Sequence, residues 1–408
     1  MKILEENHHK PELDDTQNSK FKSNILKLYL FNFTIGFSLI SGVIIPFYLI
    51  YGQFTFLEFM FLQSYYIIMV ILFEIPCGII ADRISRKFSL ILAGFSYLIT
   101  PLVYGIIPNK ILFIIGETLF SFSNALISGT NEALVYDNLK KIGREKSISK
   151  TMAKNDGMFL LGVIISAPLG SIFASLISIR FVILLMLVPY LTGTIITLSL
   201  HKVDSQYNKI KNKSSFQILK SGLMEFKNNK VLRTLVFEKI VIEIIIIFLV
   251  YTYQLYILWQ FDFPIVYFGF IDAGLHISQF IFLNLIPHIE STIQDKRKLL
   301  IINTIIPGIG YILIALIRFT PLIIFLFIII IGLGLSRYII FTNGINRQIK
   351  KDRATILSTI NVFSGILKAI LYPLISVLVL LNINFLYLIF GTLILVFALN
   401  SKIRKEYL

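Results

Sequence analysis

Apolar residues in this chain run together instead of alternating with polar ones. Stretches of about twenty follow one another at about 28–50, 56–81, 88–107, 111–137, 155–177, 181–200, 234–258, 264–288, 299–317, 321–343, 354–379 and 383–401. A helix rises 1.5 Å per residue, so each stretch can cross a hydrocarbon core roughly 30 Å thick. Backbone in hydrocarbon must satisfy its own hydrogen bonds, which the helix does within one segment. The pattern predicts an all-α polytopic membrane protein with twelve transmembrane helices. The longest polar stretch, 201–233, separates six spans from six. The expected organisation is a tail over 1–27, a six-helix bundle over 28–200, a central loop over 201–233, a second bundle over 234–401 and a short tail over 402–408. Within the central loop, Phe216–Phe226 is either an amphipathic helix lying on the inner membrane surface or simply part of a tether between the halves. No connection is long enough for a catalytic domain, so an enzyme is not expected.

Composition agrees with the pattern. Of 408 residues 56% are hydrophobic and 15% charged, where soluble domains are about a quarter charged. Mean hydropathy is +0.80. The net charge of +15 would suggest nucleic acid in a soluble protein. Here 32 of the 38 Lys and Arg fall in the tails and in alternate connections, all on one side of the predicted spans. That bias predicts cytoplasmic N- and C-termini and excludes a nucleic-acid partner. The first ~22 residues are polar and lack the apolar core of a signal peptide. Cys77 is the single cysteine, so no internal disulfide forms, and no metal-ligand cluster or phosphate loop occurs. High Ile, Lys, Asn and Phe fit an AT-rich bacterial genome and a bacterial cytoplasmic membrane. The expected partners are the bilayer and a small-molecule substrate, with no cofactor, and the expected state is a monomer.

Polar groups in hydrocarbon are costly, and so they face partners or a wet cavity. Span four places Glu117, Ser121, Asn124, Ser128 and Glu132 on one helical stripe. That stripe is either a cavity lining with titratable acids or a helix-packing seam. Span seven carries Lys239, Glu243, Tyr253 and Gln254 over a broader arc, with Lys239 and Glu243 spaced to pair. Span eight carries Asp272, His276 and Gln279, in which a carboxylate and an imidazole one turn apart can relay a proton or simply hydrogen-bond. Arg337 in span ten and Lys368 in span eleven need an anion, for which Glu243, Asp272 or an anionic substrate are the candidates. The 36 Phe and 19 Tyr would make any cavity largely aromatic.

The sharpest break in the pattern is Glu74-Ile-Pro-Cys-Gly78-Ile-Ile-Ala-Asp82-Arg83-Ile-Ser-Arg86-Lys87, where an apolar run ends at an acid followed by three bases. Gly78, Ala81, Asp82, Arg83, Arg86 and Lys87 resemble the signature loop of the major facilitator superfamily of secondary transporters, with Ile80 for the usual Leu and Ser85 for a Gly. Phe73–Gly78 and Ser128–Asp137 are similar to a bacterial drug-efflux-like branch. Glu117 stands near the place of the buried Arg that many proton antiporters of the family carry in span four, and Ala167-Pro168 and Ser171 give a degraded form of the span-five motif of many exporters. The resemblance implies two six-helix bundles that rock about a central site, with the Asp82–Lys87 loop as an inner latch. Together with the buried acids and the aromatic content, the resemblance leads to the expectation of a proton-coupled exporter of small amphipathic compounds, with Glu117, Glu132, Asp272 and His276 as proton-coupling candidates. Ser121, Asn124, Ser128, Lys239, Glu243, Tyr253, Gln254, Arg337 and Lys368 are the candidates for contact with substrate. The alternative is a carrier of a specific anionic nutrient or metabolite, held by Lys239, Arg337 and Lys368.

Overall fold

The computed structural model describes residues 15–203, 226, 229–293, 295–349 and 353–408. The amphipathic stretch expected at Phe216–Phe226 lies outside these residues, Phe226 apart. The described residues are helical, with no strand among them. The helices are α1 (Asp15–Gly36), α2 (Phe56–Arg83), α3 (Arg86–Ile106), α4 (Lys110–Ile127), α5 (Thr130–Lys141), α6 (Ile148–Leu176), α7 (Ile179–Leu185) and α8 (Leu187–Ser199) in the first half. The second half holds α9 (Lys230–Phe261), α10 (Phe268–Thr292), α11 (Lys296–Leu316), α12 (Thr320–Gln348) and α13 (Arg353–Leu399). Ten helices among the described residues are long and apolar enough to cross a membrane. One of these, in α13, is two helices meeting at Asn382 (φ −167°, ψ 111°). With α9, another long apolar helix, the set accommodates twelve passes in two bundles.

Local chemistry sets several boundaries. Thr55 and Glu58 form a reciprocal capping box at the start of α2, and Asn109, Asn229 and Asp295 cap α4, α9 and α11 with side-chain oxygens. Three expected spans are broken. Span one stops being α-helical at Gly36 and continues as a 3-10 turn at Ser41–Val43 and a π-turn at Pro46–Tyr51. Span four divides at Gly129, whose φ of +70° a side chain would resist. Span six divides at Met186.

Large apolar side chains such as Leu72, Leu176 and Leu381 point outward and form a lipid-facing belt. Inside, small residues let backbones touch, as expected where lipid removes any hydrophobic gain from helix pairing. Gly36 and Gly162 lie at the crossing of α1 and α6, and Gly308 and Gly391 at that of α11 and α13. The two halves meet along α2 with α13 and along α6 with α10.

The two ends of the molecule differ. One end, here the motif end, carries the Asp82–Lys87 loop and gathers the first turns of α1 and the C-terminal residues. There Asn24 bonds Asn138 and the His201 carbonyl, and Glu238 accepts from Ser401 and from the Lys402 amide. The far end is held by Lys110 with Glu58, Arg180 on the Gly105 and Ile106 carbonyls, and Arg318 with Gln260.

Candidate functional site

A cavity of about 540 Å³ lies between the halves, in the half of the molecule nearer the motif end. The first half lines it with Ala153, Asp156, Gly157 and Leu160 of α6, and α9, α10 and α12 line the rest. Leu160, Ile247, Phe280, Leu283, Leu335 and Phe341 make most of the wall apolar. Exposed Ala153, Asp156 and Asn284 mark its mouth.

One corner is charged. Glu243 binds two lysines, Lys368 Nζ at 2.5 Å from Oε1 and Lys239 Nζ at 3.8 Å from Oε2. The expected pairing of Lys239 with Glu243 is present as the longer of the two, and Lys368 is the closer partner. Lys239 also lies 4.8 Å over the Tyr338 ring. Arg337 is different. It is 4% exposed, its Nε has no hydrogen-bond partner, and its guanidinium packs 5.1 Å from the Phe341 ring centre. Glu243 is taken by the lysines, and Asp272 by Tyr253 and His276. Neither of the two acids that the sequence offered to Arg337 neutralises it.

Above the cavity the far end is closed by a chain of buried hydrogen bonds that crosses between halves. The Ile45 amide donates to Gln254 Oε1 at 3.0 Å, and Gln254 Nε2 donates to the Ser41 carbonyl at 3.3 Å. The same nitrogen reaches Tyr253 Oη at 2.9 Å, and Tyr253 donates to Asp272 Oδ1 at 3.0 Å. Asp272 Oδ2 lies 3.8 Å from His276 Nε2, and His276 Nδ1 is 3.4 Å from Gln279 Oε1. Ser171 donates to the Val266 carbonyl across the same seam. The Ala167 carbonyl sits where a Cβ on Gly42 or on Gly269 would have to go. Tyr253 and Gln254 therefore sit in the closed seam and do not line the cavity. Ala167, Gly42 and Gly269 were missed as a group by the sequence reading. The Ala167-Pro168 motif was their only signal, since the other two come from separate spans.

The stripe on span four is dispersed. Glu117 is buried near the far end, where Tyr48 and Tyr104 both donate to Oε1. Ser121 turns back to the Glu117 carbonyl, and Asn124 bonds Tyr97 and the Phe120 carbonyl, so these two serve packing. Ser128 is exposed at the break before Gly129. That break carries Glu132 out of register with Glu117, to the motif end, where it lines a small cavity with Arg86 and Tyr136. In the motif, Arg86 pairs with Asp137 and also donates to the Ala133 carbonyl. Asp82 and Arg83 are exposed, with no hydrogen bond or ion pair to a described residue, and Lys87 is half-buried. A Cβ on Gly78 would meet nothing within 4 Å.

Two helical bundles closed over one end, with a cavity between them toward the other, are the architecture of an alternating-access transporter. The Major Facilitator Superfamily profile matches residues 28–371, and the chain belongs to that family. A relative in Bacillus subtilis (strain 168), described as the uncharacterized MFS-type transporter YxaM, is 26% identical over 164 residues. That match spans 40% of this chain and 40% of the relative. Among solved structures, the nucleoside transporter NupG superposes with a TM-score of 0.74 at 17% identity, covering 93% of this chain and all of that one. A D-xylose–proton symporter gives 0.71 at 12%, covering 95% and 99%. A POT family transporter in complex with 5-aminolevulinic acid gives 0.74 at 16%, covering 92% and 95%. At these identities the likeness is one of fold. The chain is a multi-pass membrane protein of that transporter family.

Proposed function

We propose that this chain is a proton-coupled secondary transporter of a bacterial cytoplasmic membrane, with its motif end cytoplasmic, and that it carries a small amphipathic compound bearing an acidic group. Arg337 carries this reading. A buried guanidinium with no anion in direct contact is costly, and its planar fork matches a carboxylate or phosphate. It lines the cavity beside Lys239, Glu243 and Asp272 are committed elsewhere, and buried Glu238 acts on it only through space while its oxygens hold Ser401 and the Lys402 amide. The apolar wall opposite suits the remainder of such a solute. Asp272 with His276 is the buried pair able to take up a proton as the halves rock. Purified protein in liposomes under an imposed pH gradient tests this, with a panel of labelled organic acids and their neutral amides. An acid accumulates and its amide does not. Arg337→Gln raises the KM for that acid by about tenfold or more, the loss expected for a charged hydrogen-bonding partner. An unchanged KM in Arg337→Gln sinks the acid site.

A second reading, proton-driven export of amphipathic drugs or toxic metabolites, is favoured by the predominantly apolar wall. It predicts dye efflux from energised vesicles that a protonophore abolishes, indifferent to Arg337.

A further inference from the structure

A second cavity, of about 170 Å³, lies within the first half and shares no lining residue with the charged one. It holds an isolated acid. Glu117 is 3% exposed, and both tyrosine hydroxyls that reach it go to Oε1. Oε2 accepts no hydrogen bond from a described residue. No lysine or arginine lines the cavity, and the basic residues nearest the far end are engaged, Arg180 with backbone carbonyls and Lys110 with Glu58. An ionised carboxylate is an acceptor only, so an unused oxygen at this depth calls for a donor or a positive charge.

The rest of the wall tells which. Phe47, Tyr48, Tyr104, Phe120 and Tyr190 bring five aromatic rings around the acid. Several pack against one another, Phe47 with Tyr48 at 4.6 Å and with Tyr104 at 5.3 Å between ring centres. Aromatic faces attract a cation that has shed its water, and alkylated ammonium groups shed it most readily. A metal ion would need several oxygen ligands, and this wall offers mostly ring carbon. We propose that this cavity binds an organic ammonium group, with Glu117 as its counter-ion and the rings as its cage. The volume falls below the ~300–1,000 Å³ of pockets for drug-sized ligands, so the site takes a head group and not a large drug. This site is independent of the acid-binding cavity, and either can fail without the other.

The test uses the purified full chain in detergent and two probes of nearly equal shape. Choline carries the charge, and 3,3-dimethylbutan-1-ol is its neutral carbon isostere. Calorimetric titration is expected to show saturable choline binding at least about tenfold tighter than the isostere, a ratio within reach of a desolvated cation–aromatic contact plus one ion pair. Glu117→Gln, which keeps shape and hydrogen bonding, abolishes that preference, and Tyr190→Leu weakens it severalfold. Equal binding of the two probes, no binding of either, or choline binding retained in Glu117→Gln overturns the proposal. The probe comparison needs no variant, so a misfolded Glu117→Gln leaves it decisive.

Discussion

At the scale of single residues, the charged corner is decided by competition for one carboxylate. Glu243 is only 22% exposed and faces two ammonium groups, one at 2.5 Å and one at 3.8 Å. At equal dielectric the nearer contact is stronger, and it alone is a hydrogen bond. Lys368→Met therefore costs more stability than Lys239→Met. Glu243→Gln costs more than either, because it leaves two cations without a partner. Roughly 1–3 kcal/mol is expected for Glu243→Gln, read as a lowered unfolding midpoint in detergent. Combining Glu243→Gln with Lys368→Met should recover part of the loss. A double variant less stable than the sum of the single ones would refute the pairing. The sequence made the Lys239–Glu243 pair legible because four residues on a helix fix its spacing. It placed Lys368 on the right kind of face but left its partner open, since that partner lies 125 residues away. That Arg337 is left with only the through-space field of Glu238 was likewise invisible until the positions of the competing acids were known.

At the scale of elements, the hydrophobic pattern located the helices and missed their breaks. Span one reads as continuous because Ser38 to Tyr51 is apolar enough to span, and its one local break signal, Pro46, is a residue that membrane helices absorb as a kink. The break belongs to tertiary structure. Gly42 must come close to the Ala167 carbonyl and to Gly269, and the Ile45 amide must be free to meet Gln254. A regular α-helix would tie that amide to the carbonyl four residues before it. The same reasoning explains the scattered stripe on span four, where Gly129 rotates everything after it. The far-end closure thus rests on backbone proximity. A Cβ on Gly42 would lie 2.9 Å from Gly269 Cα and still nearer the Ala167 carbonyl, against backbone that cannot swing aside. Gly42→Val should push the halves apart at the far end and shift the population toward the conformation open there. Spin labels on Ile107→Cys and Tyr267→Cys, in a Cys77→Ala background, should report a longer far-end distance. A population change of about tenfold corresponds to only 1.4 kcal/mol, well within the cost of such a clash. An unchanged distance distribution would mean that this seam does not hold the far end shut.

At the scale of the whole molecule, one conformation is present, with the far end closed and the cavity toward the motif end. Alternation requires a second, in which the cavity faces the other way and the motif end is shut. Asp82 and Arg83 project from the end of α2 with no partner among the described residues, and a Cβ on Gly78 would meet no described atom within 4 Å. Arg86 is already committed to Asp137 within its own half and fixes the loop to α5, so a latch between the halves, as proposed for this loop, would fall to Asp82 and Arg83. An interaction made in one state and absent from the other changes their ratio by its full free energy, while one made equally in both changes nothing. Asp82→Asn should then leave the observed conformation intact, with unfolding midpoint and substrate affinity from this side near those of the unmodified protein. It should slow turnover, because the motif-closed state loses its contact. A contact of about 1.5–3 kcal/mol to a charged group corresponds to a tenfold to hundredfold loss of that population. The measurements are initial rates of substrate transport in liposomes beside equilibrium binding in detergent. A variant with lowered affinity and an unchanged maximal rate would show that Asp82 serves the cavity and not the second state. Arg86→Gln is the contrast. It breaks a contact present in this conformation, so it should lower stability as well as rate, and the two residues of one short loop should separate cleanly by that pair of readouts.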